Sequence, residues 1–91
     1  SNFTFTSRNP NQRFILPNSG IDTDLINVTV KSNEQSTSKI KYTLKDNLLE
    51  IGSDSKIFFL QEIEDERYEI FFGDGIFGYA LEEGNFITID Y

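Results

Sequence analysis

The chain has 91 residues, of which 37% are hydrophobic and thirteen are Phe or Tyr, so it can enclose one small core rich in aromatic rings. Cysteine and histidine are absent, which excludes disulfides, thiolate or imidazole metal sites, and catalysis by these side chains. A net charge of −7 disfavours nucleic acid and anionic membranes as partners. No apolar run is long enough for a membrane span.

The first half of the chain predicts four short strands. Two weak apolar alternations, at residues 2–6 and 12–16, precede two clear ones at 25–31 and 39–45. Alternation with period two indicates a strand with one buried face. The faces predicted to be buried in the two clear strands are Ile26, Val28 and Val30, and Ile40, Tyr42 and Leu44. The wholly polar segment 32–38 predicts a flexible hairpin connection between them.

The second half predicts a loop and three more strands. Turn residues flank Leu48, Leu49 and Ile51, which favours a loop, or a single helical turn, whose apolar side chains tuck under the core. The nearly continuous apolar run at 56–63 predicts a central strand. An acidic cluster at 62–66 then forms a tight turn into a strand at 66–72, and a last alternation occupies 85–91.

These patterns predict a single all-β domain with six or seven strands. No stretch of eleven residues has a helical period, so the architecture expected is an antiparallel β-sandwich or a partly open barrel. Residue 1 is Ser, and the apolar alternation at 85–91 continues to the last residue. We therefore expect the 91 residues to be a fragment of a longer chain, the alternative being a tag remnant at Ser1 and Asn2.

A glycine-rich segment comes after the strand at 66–72. Phosphate-binding loops of this composition need a helix directly after them, which is not predicted here. Asp-Gly between apolar runs instead predicts a type I′ hairpin turn with positive φ. The residues assigned to this structural turn are Gly73, Asp74, Gly75 and Gly78. Gly78 and Gly84 are expected where only glycine fits the backbone.

Charge is unevenly distributed along the chain. Residues 1–45 carry six basic and three acidic groups, for a net charge of +3, whereas residues 46–91 carry two basic and twelve acidic groups, for a net charge of −10. Cross-strand ion pairing within the fold is the simpler interpretation. The alternative is that neighbouring copies meet head to tail.

No pattern in the sequence supports catalysis. The carboxylates lack the spacing of a calcium-binding loop, and a domain of this size rarely forms the cleft of a hydrolase. We expect no enzyme activity, no cofactor and no metal site. Exposed rings such as Phe3, Phe77 or Tyr79 would mark a contact surface, although the same rings are equally suited to the core.

Two blocks of the sequence carry a family resemblance. Residues 13–30 and 58–91, which include FLQE and RYEIFFGDGIFG, resemble the baseplate wedge proteins of T4-like contractile-tailed bacteriophages, and more broadly the baseplate J family. Residues 68–91 match the closing pattern of that family without a gap. The pattern is a strand ending in FGDG, a short apolar step with glycine, and a glycine-containing turn into a strand ending in Tyr.

The resemblance implies a structural role in the virion tail baseplate. It implies contacts with other baseplate proteins that join neighbouring wedges into a ring, and a homo-oligomer of the full-length protein. It also implies that the baseplate is assembled in the host cytoplasm. The resemblance brings no catalytic residue and no cofactor, and it gives architectural roles to the turn residues named above. A carbohydrate- or receptor-binding β-sandwich of a phage tail is the alternative function, and a calcium-stabilised module is a third.

Overall fold

The computed structural model describes residues 1–9, 12–45 and 52–91. These residues form seven strands and two single-turn 3-10 helices, at Thr23–Leu25 and Glu64–Glu66. The strands in chain order are β1 (Asn2–Thr4), β2 (Phe14–Ile15), β3 (Asn27–Lys31), β4 (Lys39–Leu44), β5 (Ile57–Ile63), β6 (Arg67–Phe72) and β7 (Phe86–Asp90). The all-β class is confirmed. No helix in the described residues has the length and apolar character needed to cross a membrane.

All seven strands belong to one sheet, in the order β1-β7-β3-β4-β5-β6-β2. Neighbouring strands are antiparallel except for β4 and β5, which pair in parallel through Thr43 with Ile57 and Leu44 with Phe58. The prediction of a wholly antiparallel sheet was therefore wrong at this pair. Parallel neighbours need a connection of about a dozen residues or more, and twelve residues separate β4 from β5.

The sheet curls into a nearly closed barrel, whose open seam lies between β1 and β2. The Phe3 and Phe14 rings meet edge to face across the seam, with centroids 5.4 Å apart. The Gln12 side chain accepts from Thr6 N at 3.0 Å and donates to Thr4 O at 2.8 Å. One carboxamide thus satisfies backbone groups of the β1 segment that no neighbouring strand pairs. The partly open barrel predicted from the sequence is confirmed.

The core lies inside the barrel and confirms most of the predicted faces. Val28, Ile87 and Ile89 are fully buried, as the alternation in β3 and β7 predicts. The prediction for β4 was wrong in part, because only Tyr42 is buried, whereas Ile40 is 50% and Leu44 is 42% exposed. β5 pairs with β4 only at Thr43 and Leu44, so no strand of the described residues flanks Ile40 on that side.

The strands β5 and β6 form the predicted antiparallel hairpin at the acidic cluster. The turn between them is the 3-10 helix at Glu64–Glu66, in which Asp65 and Glu66 have φ of 62° and 57°. β5 has a neighbour on each side, as predicted for a central strand, and its first residues are buried. The predicted positions of Leu48, Leu49 and Ile51 lie outside the described residues.

Candidate functional site

A compact loop follows β6 and contains the glycine-rich segment identified in the sequence. We call residues 73–80 the glycine loop. Its ends meet in an isolated parallel bridge between Gly73 and Ala80, and an irregular segment then leads into β7. The predicted two-residue hairpin is therefore wrong, because no strand comes directly after the loop to pair with β6.

The Asp74 carboxylate organises the tip of the loop. Its Oδ1 accepts hydrogen bonds from the backbone N–H groups of Phe77 at 2.8 Å and Ile76 at 2.9 Å. These two bonds stabilise the charged form and lower the pKa of Asp74. A type I′ turn needs positive φ at both central residues. Gly75 has φ of 90°, but Asp74 is not among the described residues with positive φ, so this turn type is corrected to an aspartate-capped loop.

Gly73 and Gly78 pack backbone against backbone at the base of the loop. A Cβ on Gly73 would overlap the carbonyl carbon of Gly78, so only glycine fits there. Gly78 has φ of 94°, and a Cβ there would lie 2.9 Å from Cγ1 of Ile57. The positive φ expected for Gly78 is confirmed, as is that of Gly84 at 85°.

The loop is also tied to the segment that precedes β5. Gly78 N donates to Gly52 O at 3.0 Å, and Tyr79 N donates to Ser55 O at 2.8 Å. The Lys56 ammonium lies 3.3 Å from the centroid of the Tyr79 ring, in a cation–π contact. These contacts fix the backbone of Gly78 and Tyr79, near the end of the glycine loop, and they also hold the Tyr79 ring.

This scaffold presents two apolar side chains to solvent. Ile76 is 68% exposed and Phe77 is 43% exposed, although both belong to a loop with many internal bonds. The sequence left open whether Phe77, Tyr79 and Phe3 are exposed or buried. The structure exposes Phe77 and leaves the other two rings half-buried. Ile76 was missed, because a single apolar residue in a turn gives no periodic signal.

A shallow groove of about 220 Å³ lies beside the loop, at the barrel seam. Its lining is mainly apolar and consists of Phe5, Phe14, Ile70, Phe71, Phe72, Gly73, Ala80 and Leu81, with Gln12 and Glu69 as polar members. Phe71 is the most exposed of these rings, at 39%, whereas Phe5 and Phe72 are half-buried and Phe14 is buried. The groove therefore lacks the row of exposed aromatic rings that would favour carbohydrate recognition.

The single carboxylate of the groove already has a partner. Glu69 is 5% exposed and accepts from Arg13 Nη2 at 2.6 Å and from Arg13 Nε at 3.1 Å. This is the one ion pair within the described residues, and it joins the basic and acidic halves of the chain. Ion pairs within the described residues therefore neutralise little of the difference in charge between the basic first half and the acidic second half of the chain. The part of the chain that is described also contains no group of three acidic side chains placed to hold a metal ion.

Comparison with known protein families gives a match over almost the whole chain. The family model for the third domain of the bacteriophage baseplate wedge protein gp6 matches residues 2–91. No curated protein and no solved structure matches the chain. The family match covers the glycine loop, the barrel seam and all seven strands.

Proposed function

Because the chain belongs to the family of the third domain of bacteriophage baseplate wedge protein gp6, we propose that it makes protein–protein contacts that join wedges into the baseplate ring. The family supports a structural role in the tail baseplate of the virion. The glycine loop supplies one of these contacts through Ile76 and Phe77. The exposure of these two side chains on a restrained loop is the observation that carries the proposal.

The energetics of the loop suit an anchor. Burying a large apolar side chain that was exposed contributes about 1.5–3 kcal/mol. A flexible loop loses part of this gain when it becomes ordered on binding. In the glycine loop that cost is small, since the Asp74 bonds, the Gly73–Gly78 packing and the bond from Gly78 to Gly52 already hold the backbone.

Further parts of the proposal concern the chain as a whole. The 91 residues are one domain of a longer chain, whose partners are other baseplate proteins and further copies of itself, with no nucleic acid and no membrane among them. The domain is not an enzyme, and it is assembled into the baseplate in the host cytoplasm. Gly73, Asp74, Gly75 and Gly78 have architectural rather than chemical roles, because they shape the loop that presents the contact residues.

The loop contact is tested with the double variant Ile76→Ser/Phe77→Ser in the complete wedge protein. We expect the yield of assembled baseplates to fall at least about tenfold, since loss of the apolar contact removes more than about 1.4 kcal/mol. Sedimentation of assembled baseplates is the measurement. Leu25→Ser is the matched control, because Leu25 is 60% exposed on the 3-10 helix at Thr23–Leu25, outside the glycine loop.

The melting temperature separates a lost contact from a lost fold. Both side chains are exposed, so the isolated double variant should melt close to the wild-type domain. Normal assembly by the double variant would refute the loop contact. Self-association is tested separately by light scattering of the domain over a concentration series at low and moderate salt. Salt-sensitive dimers would support contacts driven by the charge polarity, and a strict monomer would place such contacts outside these residues.

A further inference from the structure

One edge of β4 is not paired by any described residue over the first half of the strand. β3 pairs with β4 from Lys39 to Tyr42, whereas on the opposite side β5 pairs only with Thr43 and Leu44. On that side Thr43 N and Lys45 N donate to backbone carbonyl groups of the β5 segment. Alternate residues of a strand direct their N–H groups to the same edge. The N–H groups of Lys39 and Lys41 therefore point to this edge, where no described residue accepts them.

The same part of the sheet carries a concentration of positive charge. Lys39 and Lys41 alternate with the buried Tyr42 and so project from the outer face of β4, and Lys45 continues this series. Lys31 of β3 lies directly opposite Lys39 in the register. Like charges opposite each other destabilise a sheet. None of these four lysines has a described carboxylate within ion-pair distance, since the one ion pair among the described residues joins Arg13 and Glu69.

Apolar side chains accompany the charged ones at this edge. Ile40 is 50% exposed and Leu44 is 42% exposed, and both alternate with the lysines along β4. An added strand would therefore find basic groups on one face and apolar groups on the other. Its backbone would meet the N–H and C=O groups of Lys39 and Lys41, which no described residue pairs on this side.

We propose that this edge of β4 binds an extended, acidic segment of another protein as an additional strand. Main-chain hydrogen bonds would hold such a segment, and alternate side chains would select it. Charge complementarity specifies the partner: carboxylates on the outer face pair with the lysines, and apolar residues on the other face cover Ile40 and Leu44. This surface is separate from the glycine loop, so it goes beyond the function proposed above and is tested independently of it.

The competing explanation is protection of the edge. Lysines on an edge strand prevent pairing between copies of a protein, and they do so without any partner. The two explanations predict different outcomes when an acidic strand is offered. If the edge of β4 accepts a partner strand, it binds the acidic strand through main-chain hydrogen bonds. If the lysines only protect the edge, the acidic strand does not bind.

The experiment uses the 91-residue domain and a seven-residue peptide that alternates glutamate with valine. NMR titration should shift the amide signals of Lys39 and Lys41, and saturating peptide should slow hydrogen exchange of the Lys41 amide at least about tenfold. The double variant Lys39→Gln/Lys41→Gln should weaken binding at least about tenfold. The control Arg8→Gln, an exposed basic residue outside β4, should leave the affinity unchanged within about twofold.

Two peptide controls separate strand addition from charge attraction alone. A peptide with lysine in place of glutamate should not bind, and a glutamate peptide N-methylated at alternate residues should lose binding, because it cannot form the main-chain ladder. Failure of the glutamate peptide to bind at millimolar concentration would overturn the proposal and favour edge protection. Equal binding of the N-methylated peptide, or signal shifts confined to residues outside β4, would also overturn it.

Discussion

Replacing Gly78 by alanine tests the packing at the base of the glycine loop. The new Cβ would lie 2.9 Å from Ile57 Cγ1 and 3.1 Å from Gly73 Cα, in a backbone held at φ of 94°. A left-handed backbone costs a residue with a Cβ about 1–2 kcal/mol. Overpacking against a core side chain costs about 1–3 kcal/mol more. We therefore expect a loss of about 2–5 kcal/mol in the free energy of unfolding.

A matched variant separates the two contributions. Gly75 has a similar φ of 90°, but a Cβ there would meet only the Ala80 Cβ, at 3.9 Å. Gly75→Ala should therefore show the backbone cost of about 1–2 kcal/mol without the packing cost. Urea unfolding followed by circular dichroism measures both variants. In a domain of this size, the loss from Gly78→Ala corresponds to a fall in melting temperature of at least about 8 °C.

The difference between the two variants decides the result. If Gly78→Ala were no less stable than Gly75→Ala, the close packing of Gly78 against Gly73 and Ile57 would be refuted. The positive φ would then account for all of the effect.

Three further predictions concern single side chains. Gln12→Ala should lower the free energy of unfolding by about 1–3 kcal/mol, because it removes two hydrogen bonds across the barrel seam. Urea unfolding measures this loss. The control Gln35→Ala, at an exposed position in the β3–β4 connection, should have little effect. Because the folded-state pKa of Asp74 is lowered, the stabilisation by its charged form is present above the unfolded pKa of about 3.9 and is lost as the pH falls through the folded value. The stability advantage of the wild type over Asp74→Asn should therefore shrink between about pH 6 and about pH 2, and a constant difference would contradict the capping role. Arg13→Met should lower the free energy of unfolding, since it leaves the buried carboxylate of Glu69 without its cation, and a double-mutant cycle with Glu69→Gln would measure the coupling.

Local patterns predicted the parts of this fold that depend on neighbouring residues. Alternation identified the buried faces of β3 and β7, where Val28, Ile87 and Ile89 are fully buried. The acidic cluster correctly predicted the turn between β5 and β6. Asp-Gly identified a reversal of the chain at Asp74, but it did not predict the loop type. That type depends on hydrogen bonds to Ile76 and Phe77 and on the approach of Gly78 to Gly73.

The sequence by itself determined an all-β domain, its strand positions and its unequal charge, because period two and composition are properties of short segments. Only the tertiary structure decided that β4 and β5 run parallel, that Ile40 is exposed and that Ile76 and Phe77 project from a restrained loop. Alternation states which residues share a face of a strand, but it does not state which strand lies beside it. Pairing partners and exposed edges depend on contacts between distant parts of the chain, and both proposed contact surfaces arise from them.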